Sequence, residues 1–306
     1  MERSRDLLSI CIVSYQTRDY LQRCLDSIRV HPPQRPFEII VVDNGSTDGT
    51  LELLRETFSQ VMLIQNSQNV GYTAAMNQAL RRAQGEFLIQ LNPDTEVYEG
   101  AFDLLADFLE THPEVGICGP KVLNPDGSLQ RPCRRGESTP LAVIAHFSGL
   151  DRLFPQNPKL AQYWMSYRHE DEIHEVAGVS GSCMMIRRAV VEQIGYLDER
   201  FFAYQEDADY CFRARQAGWK VMYVPTARIL HYGGMGGSHV QPYRSLIEWH
   251  RSYWNYYRKN LAHHYPNWFN ALYYAMMGVK LGSSLALQML KLGRFSKRNT
   301  KIQRRR

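Results

Sequence analysis

Residues 10–48, ICIVSYQTRDYLQRCLDSIRVHPPQRPFEIIVVDNGSTD, hold two apolar runs separated by one helical pattern. Ile10-Cys11-Ile12-Val13 and Ile39-Ile40-Val41-Val42 are apolar at every position, so neither offers a polar face to water. Between them Leu21, Leu25 and Ile28 fall at helical spacing. Strands apolar on both faces and joined by a helix describe a parallel sheet covered on two sides. The pattern repeats onward. Ser46-Thr47-Asp48 supplies N-cap chemistry for a helix through Leu51, Leu54 and Phe58. Strands are expected at residues 61–64, 87–91 and 115–122, the last interrupted by Gly119-Pro120, with helices over 72–82 and 101–109. The fold class is α/β, a mainly parallel Rossmann-like sheet flanked by helices.

Beyond the turn Asn124-Pro125-Asp126-Gly127 the chain is irregular and polar to about residue 175, which reads as a flexible loop or lid. A strand is expected at 176–186, and a short one at 221–224, ended by Pro225. After Gly237 aromatic and basic residues take over with helical spacing. The division expected is a body of residues 1–237, with halves 1–122 and 123–237, and a C-terminal helical basic extension, 238–306.

Of the 306 residues 44% are apolar and 22% charged, ordinary for a folded protein. The six cysteines are dispersed with no C-x-x-C pair, which favours free thiols in a reducing compartment. A charged N-terminus running straight into a strand leads us to expect no secretory signal peptide. The formal charge of +5 is uneven: residues 291–306 carry eight basic side chains and no acid, which leaves −3 for the rest. Such a tail points to an anionic surface. Residues 268–292 are apolar and aromatic, but Lys280 and Lys291 interrupt them, so the expectation is a segment lying in a membrane interface, or else a final helical hairpin on the core followed by a disordered tail, and not a spanning helix. No recognised RNA- or DNA-binding pattern accompanies the arginines, and no nucleic-acid partner is expected.

In an open α/β sheet, ligands bind beyond the carboxyl ends of the strands. Ser14-Tyr15, Asp43-Asn44-Gly45-Ser46 and Asn92-Pro93-Asp94 all fall there. Asp43 suits a nucleobase or ribose, or else caps the turn at Ser46. Asn69-Val70-Gly71 precedes a helix whose start favours phosphate. Asp94 is a candidate ligand for Mg2+ or Mn2+, hard cations commonly held by one or two carboxylates plus diphosphate oxygens; the plainer alternative is an Asp ending a strand. Glu206-Asp207 opens a helix stopped by Gly218 and is the candidate proton-accepting station. Asp209 and Arg213, spaced i and i+4, read as a structural pair. His231, before Gly233-Gly234, could join the metal shell or simply pack.

Taken in order, Val13-Ser14-Tyr15, residues 42–48, Asn69-Val70-Gly71-Tyr72 with Asn77, Leu91-Asn92-Pro93-Asp94, Gly181-Ser182-Cys183-Met184 and residues 201–218 resemble glycosyltransferase family 2. The likeness spans about residues 8–237 and is nearest the rhamnosyltransferase branch. It implies a GT-A fold and an inverting, metal-dependent hexosyltransferase acting on a nucleotide-diphospho-sugar. Carried onto this sequence, the donor-binding set is Ser14, Tyr15, Asp43, Asn69, Gly71, Asn77, Asn92 and Asp94. Asp94 matches the last acid of the D-x-D metal motif and His231 a histidine of the metal shell. Asp207, with Glu206, matches the acid that deprotonates the acceptor, and Gly181 and Ser182 lie on the acceptor side. Asn92 departs from the motif, standing where its first acid would be. The implied partners are thymidine-diphosphate rhamnose, or a uridine-diphosphate hexose, and a glycan or polyprenyl-diphosphate-linked acceptor of bacterial cell-surface polysaccharide synthesis. The implied location is the cytoplasmic side, peripheral on the inner face of the plasma membrane. The alternative from another class is a nucleotide-sugar-binding protein without turnover. Nucleotidyl transfer would ask for a Gly-rich loop where Tyr15-Gln16-Thr17-Arg18 stands.

Overall fold

In the computed structural model, which describes residues 6–303, the apolar runs become the centre of the sheet. The chain opens with β1 (Leu8–Ser14), α1 (Arg18–Val30), β2 (Phe37–Asp43), α2 (Thr50–Thr57), β3 (Met62–Gln65), α3 (Tyr72–Arg82) and β4 (Phe87–Leu91). Next come β5 (Thr95–Val97), α4 (Ala101–Thr111), β6 (Val115–Leu123), β7 (Arg134–Arg135), α5 (Pro140–Ser148), α6 (Leu150–Leu153), β8 (His174–Glu175) and β9 (Gly178–Val179). The chain continues through β10 (Cys183–Arg187), α7 (Arg188–Ile194), α8 (Glu206–Gln216), β11 (Lys220–His231), α9 (Gly237–Val240), α10 (Pro242–Asn260) and α11 (Asn267–Gln303).

The main sheet runs β3-β2-β1-β4-β10-β6-β11-β5, with β8 also pairing β11. β1 and β4 are buried at every position, as their doubly apolar sequences require. β3, β2, β1 and β4 are parallel, whereas β10 is antiparallel to both β4 and β6. β1 leads out to β2 on one side and pairs β4 on the other, so the crevice where strand order reverses lies beyond Ser14 and Leu91.

Three expectations need correction. β11 does not stop at Pro225 but runs to His231, because a register shift against β6 between Val224 and Arg228 absorbs the proline. β6 is continuous through Gly119-Pro120; a Cβ on Gly119 would stand 2.7 Å from the Val179 side chain, so glycine there lets β9 approach. The stretch 124–175 is not all loop. Thr139 caps α5 by accepting from the Ala142 N–H at 3.3 Å, Pro140 occupies the first turn, and Gly149 leaves the helix at φ +81°.

The expected boundary at residue 237 does not coincide with a break in packing. Tyr256, Tyr257, Leu261 and Tyr273 of the C-terminal helices form a buried cluster with Phe201 and Ala208. Tyr253 packs with Ala142, Val143 and Tyr163. All six cysteines are buried free thiols.

Candidate active site

A cleft of about 570 Å³ opens over the carboxyl ends of β1 and β4. Asp94 and His231 meet there through strand register. β11 pairs β5 antiparallel with His231 opposite Thr95, so the imidazole lands beside the residue before β5. His231 Nε2 lies 3.1 Å from Asp94 Oδ1, and the Met235 N–H donates to Asp94 Oδ2 at 3.2 Å. Burial raises the Asp94 carboxyl, but His231 and the backbone donors outweigh it and hold the group below its ordinary range. Gln130 fixes the ring: its Nε2 donates to Asn124 Oδ1 and the His231 carbonyl, leaving Oε1 to accept from His231 Nδ1 at 2.6 Å. Nδ1 therefore donates to Gln130, which turns Nε2 toward the Asp94 carboxylate. Asn92, its Oδ1 accepting from Tyr72 Oη at 3.2 Å, turns Nδ2 toward Nε2 at 3.3 Å. One imidazole and one carboxylate converging in this way suit a divalent cation whose remaining ligands come from diphosphate and water. Among the described residues no group of three or more His, Cys, Asp and Glu converges on a metal position, so protein ligands alone would not complete a shell.

Glu206 and Asp207 begin α8, where the helix dipole favours negative charge. Tyr204 and Gln205 precede them at φ 67° and 62°, consecutive left-handed residues that are not glycine. Strain of this kind persists where the surroundings over-determine it, and here it aims the first turn of α8 into the cleft. Asp207 Oδ2 accepts from Arg135 Nη2 at 2.6 Å and from the Gly181 N–H at 2.9 Å, while Oδ1 accepts from the Ala208 N–H. Glu206 Oε2 is buried with no hydrogen-bond partner. Burial, then the Asp207 charge, push the Glu206 carboxyl up to about 8. Of the two neighbours, Asp207 is the one given a cation and N–H donors, and Glu206 the one driven toward its neutral form. Gly181-Ser182 joins the stations: Gly181 donates to Asp207, and the Ser182 carbonyl accepts from the Asn92 N–H at 3.0 Å. A Cβ on Gly181 would stand 2.4 Å from Gln90 Nε2, so a side chain there would push the Gln90 amide aside.

At the other end Tyr15, Asn44 and Asn69 line the cleft. Asn44 Nδ2 donates to Asn69 Oδ1 at 3.0 Å. Asp43 is fully buried behind them; its Oδ2 accepts from the Ser46 N–H and its Oδ1 has no partner. An orphaned buried acceptor of this kind asks for a donor. Three expected positions sit differently from their sequence reading. Gly71 sits against Phe202, whose ring a Cβ would meet at 2.7 Å. Ser14 is buried with its hydroxyl on Thr17. Asn77 lies away from the cleft and spends its amide on Leu197 and Glu199.

Arg135 and Gln130 escaped the sequence reading, since each acts through a contact far along the chain. The aromatic wall beside Asp207 escaped it too. His146 stacks on Tyr163 with ring centroids 4.6 Å apart, Trp164 meets Tyr163 edge-on, and Trp249 and Tyr253 of α10 close the wall. The Tyr163 and Tyr253 hydroxyls are bonded to one another.

The family model described as Glycosyl transferase family 2 matches residues 9–195. The N-acetylglucosaminyl-diphospho-decaprenol L-rhamnosyltransferase of Mycobacterium tuberculosis is 32% identical over 270 residues, covering 81% of this chain and 87% of that protein. Among solved structures, the mannosyltransferase of Pyrobaculum calidifontis in complex with GDP-Man and Mn2+ superposes with a TM-score of 0.57 at 18% identity, over 90% of this chain and 70% of that one. GalNAc-T7 with UDP, GalNAc and Mn2+ superposes with a TM-score of 0.54 at 18% identity, over 75% of this chain and 44% of that one. The two superpositions establish the GT-A-like fold.

Proposed function

This chain belongs to glycosyltransferase family 2, and from that premise we propose that it transfers L-rhamnose, with inversion, from thymidine-diphosphate rhamnose to a hydroxyl of a lipid-linked N-acetylglucosaminyl diphosphate. The observation that carries this reading is the pairing, in one cleft, of Asp94–His231 with an Arg135-paired Asp207, bridged by Gly181-Ser182. Residues 1–122 bind the donor: Asp43 and Asn69 take the nucleoside, Tyr15 packs beside it, and Asn92 meets the ribose or diphosphate. Asp94 and His231 would hold Mg2+ or Mn2+. That ion, when bound, neutralises charge on the leaving diphosphate.

Residues 123–237 present the acceptor. Asp207 takes the proton from the acceptor hydroxyl as that oxygen attacks the anomeric carbon. The bond from that carbon to the diphosphate breaks on the opposite face, and the nucleoside diphosphate leaves. A positioned base contributes about 10²–10⁴-fold. Arg135 orients Asp207, and Glu206, driven toward its neutral form beside it, avoids a second charge. The acceptor's lipid places the reaction on the inner face of the plasma membrane, where the eight basic residues of 291–306 meet anionic headgroups.

The test is a panel of nucleotide sugars offered to the purified protein with a polyprenyl-diphosphate N-acetylglucosamine acceptor, with Mn2+, Mg2+ or chelator. Products are read by mass spectrometry and the new anomeric centre by NMR. Asp207→Asn should lower kcat by about 10²–10⁴-fold while nucleotide affinity by calorimetry stays unchanged. Near-wild-type turnover would remove Asp207 from the base role, and transfer with retention would remove the mechanism.

A further inference from the structure

The hairpin of α5 and α6 has two unlike sides. Its inner side carries Ala142, Val143 and His146 into the aromatic wall. Its outer side exposes Leu141, Ile144 and Phe147, spaced three apart on α5, and then Leu150, Leu153 and Phe154. Leu153 is 72% exposed, a position where an apolar side chain gains nothing from the fold.

A second apolar stripe lies on α11. Trp268, Leu272, Met276 and Val279 recur at helical spacing and are exposed, Trp268 at 70% and Val279 at 74%. The stripes adjoin. Lys280 Nζ sits 4.0 Å from the centre of the Phe147 ring and 5.0 Å from Trp249, and Met277 packs into the cluster under α5. Scattered exposed apolar residues are ordinary, but regularly spaced exposed apolar stripes on two elements that pack together mark an interaction surface.

Charge selects the occupant. Within residues 138–168 the only acid is Asp151, which is buried and paired with His146 at 2.7 Å, while Arg152, Lys159 and Arg168 are basic. Residues 267–290 hold no acid at all, and the eight basic residues of 291–306 follow directly in the chain. No helix among the described residues is long and apolar enough to cross a membrane. An apolar face fringed by positive charge and too short to span fits an anionic bilayer surface.

We propose that the outer face of α5–α6, together with the exposed stripe of α11, docks into the surface of an anionic lipid bilayer. The inner side of the same hairpin is the aromatic wall beside Asp207, so docking sets the acceptor end of the cleft at the headgroup level. The benefit to catalysis rests on the lipid-linked acceptor proposed above; the docking itself does not.

The experiment is sedimentation of the full-length protein with vesicles of phosphatidylcholine alone and of phosphatidylcholine mixed with phosphatidylglycerol. Wild type should partition onto the mixed vesicles, and Leu153→Glu with Phe154→Glu should lose about tenfold or more of that partition. The uncharged pair Leu153→Ser with Phe154→Ser should lose partition as well, which separates lost apolar contact from charge repulsion. Unchanged melting temperatures would show that both variants fold. Wild type that ignores mixed vesicles, or variants that bind within about twofold of it, would overturn the proposal. So would a wild-type dimer by light scattering that the substitutions convert to monomer, because a second copy would then cover the face. Transfer to a short-chain, water-soluble acceptor should be equal in wild type and variants. Vesicle binding without transfer sinks the assigned reaction and spares the docking face, and transfer without vesicle binding does the reverse.

Discussion

Glu206 and Asp207 are adjacent in sequence yet differently served: Asp207 accepts from Arg135, Gly181 and Ala208, whereas Glu206 Oε2 has no partner and burial beside Asp207 drives that carboxyl toward its neutral form. Environments that separate two carboxyls in this way assign an acid and a base. The consequence for stability has a definite sign. Folded Glu206 keeps its proton up to about 8, whereas an unperturbed Glu loses it near 4.5. Its contribution is therefore fully present below the unfolded value, declines as pH rises, and is gone once pH passes the folded value. Thermal melts between about pH 5 and pH 8 should show wild type losing several degrees, while Glu206→Gln should flatten that part of the profile. An unchanged slope in the variant would place the proton elsewhere. Arg135 acts on the same site as a positioning residue. Arg135→Ala should lower kcat about 10²-fold by letting the Asp207 carboxylate rotate, with donor affinity held. Arg135→Lys should restore part of the rate, because a single ammonium supplies the charge without the planar fork. A variant that only unfolded would lose donor binding together with turnover.

At the scale of elements, α10 is held to α8 by a buried charge. Asp209 is fully buried and accepts from Lys259 Nζ at 2.7 Å, from Asn260 Nδ2 at 2.9 Å and from Arg213 Nε at 3.0 Å. The i, i+4 spacing revealed the Arg213 contact, but nothing local revealed Lys259 and Asn260. Lys259→Met removes one partner from a buried carboxylate and should cost about 3 kcal/mol, measured as a lower urea midpoint. Because α10 also carries Trp249 and Tyr253 into the cleft, KM for the acceptor should rise more than KM for the donor. The alternation of apolar runs with helical spacing made β1 to β4 and α1 to α4 legible, since period and burial are local properties. Thr139-Pro140 and Gly149 were an equally readable start and stop for α5, masked by the polar residues around them. Pro225 misled because a strand paired on both sides can absorb a proline at a register shift, and only the partner strand reveals it. Asp94, Asp207 and His231 were found from chain order, whereas Arg135 and Gln130 needed the folded register. Asn77 and Gly71, placed in the cleft by the same order, turned out to serve the loop at Leu197–Phe202.

For the whole molecule, two kinds of membrane contact should separate by salt. The tail of residues 291–306 carries eight positive charges, and the rest of the chain is net −3, so the molecule is polarised along its length. Each Lys or Arg beside an anionic leaflet contributes about 1 kcal/mol at most, and that attraction falls off within a Debye length of about 8 Å at physiological salt. The apolar face of α5, α6 and α11 has no such dependence, because burial of hydrocarbon is not screened. Wild type on mixed vesicles should therefore lose part of its partition between about 0.05 and 0.5 M NaCl and then level off at a residual set by apolar contact. Replacing the eight tail residues with Gln should remove most of the salt-sensitive part, leaving the smaller share of Arg152, Lys159 and Arg168, and keep the plateau. Leu153→Ser with Phe154→Ser should lower the plateau and leave the salt-sensitive part in place. Equal salt slopes in wild type and the Gln variant would deny the tail its role on the membrane, whatever the hairpin does.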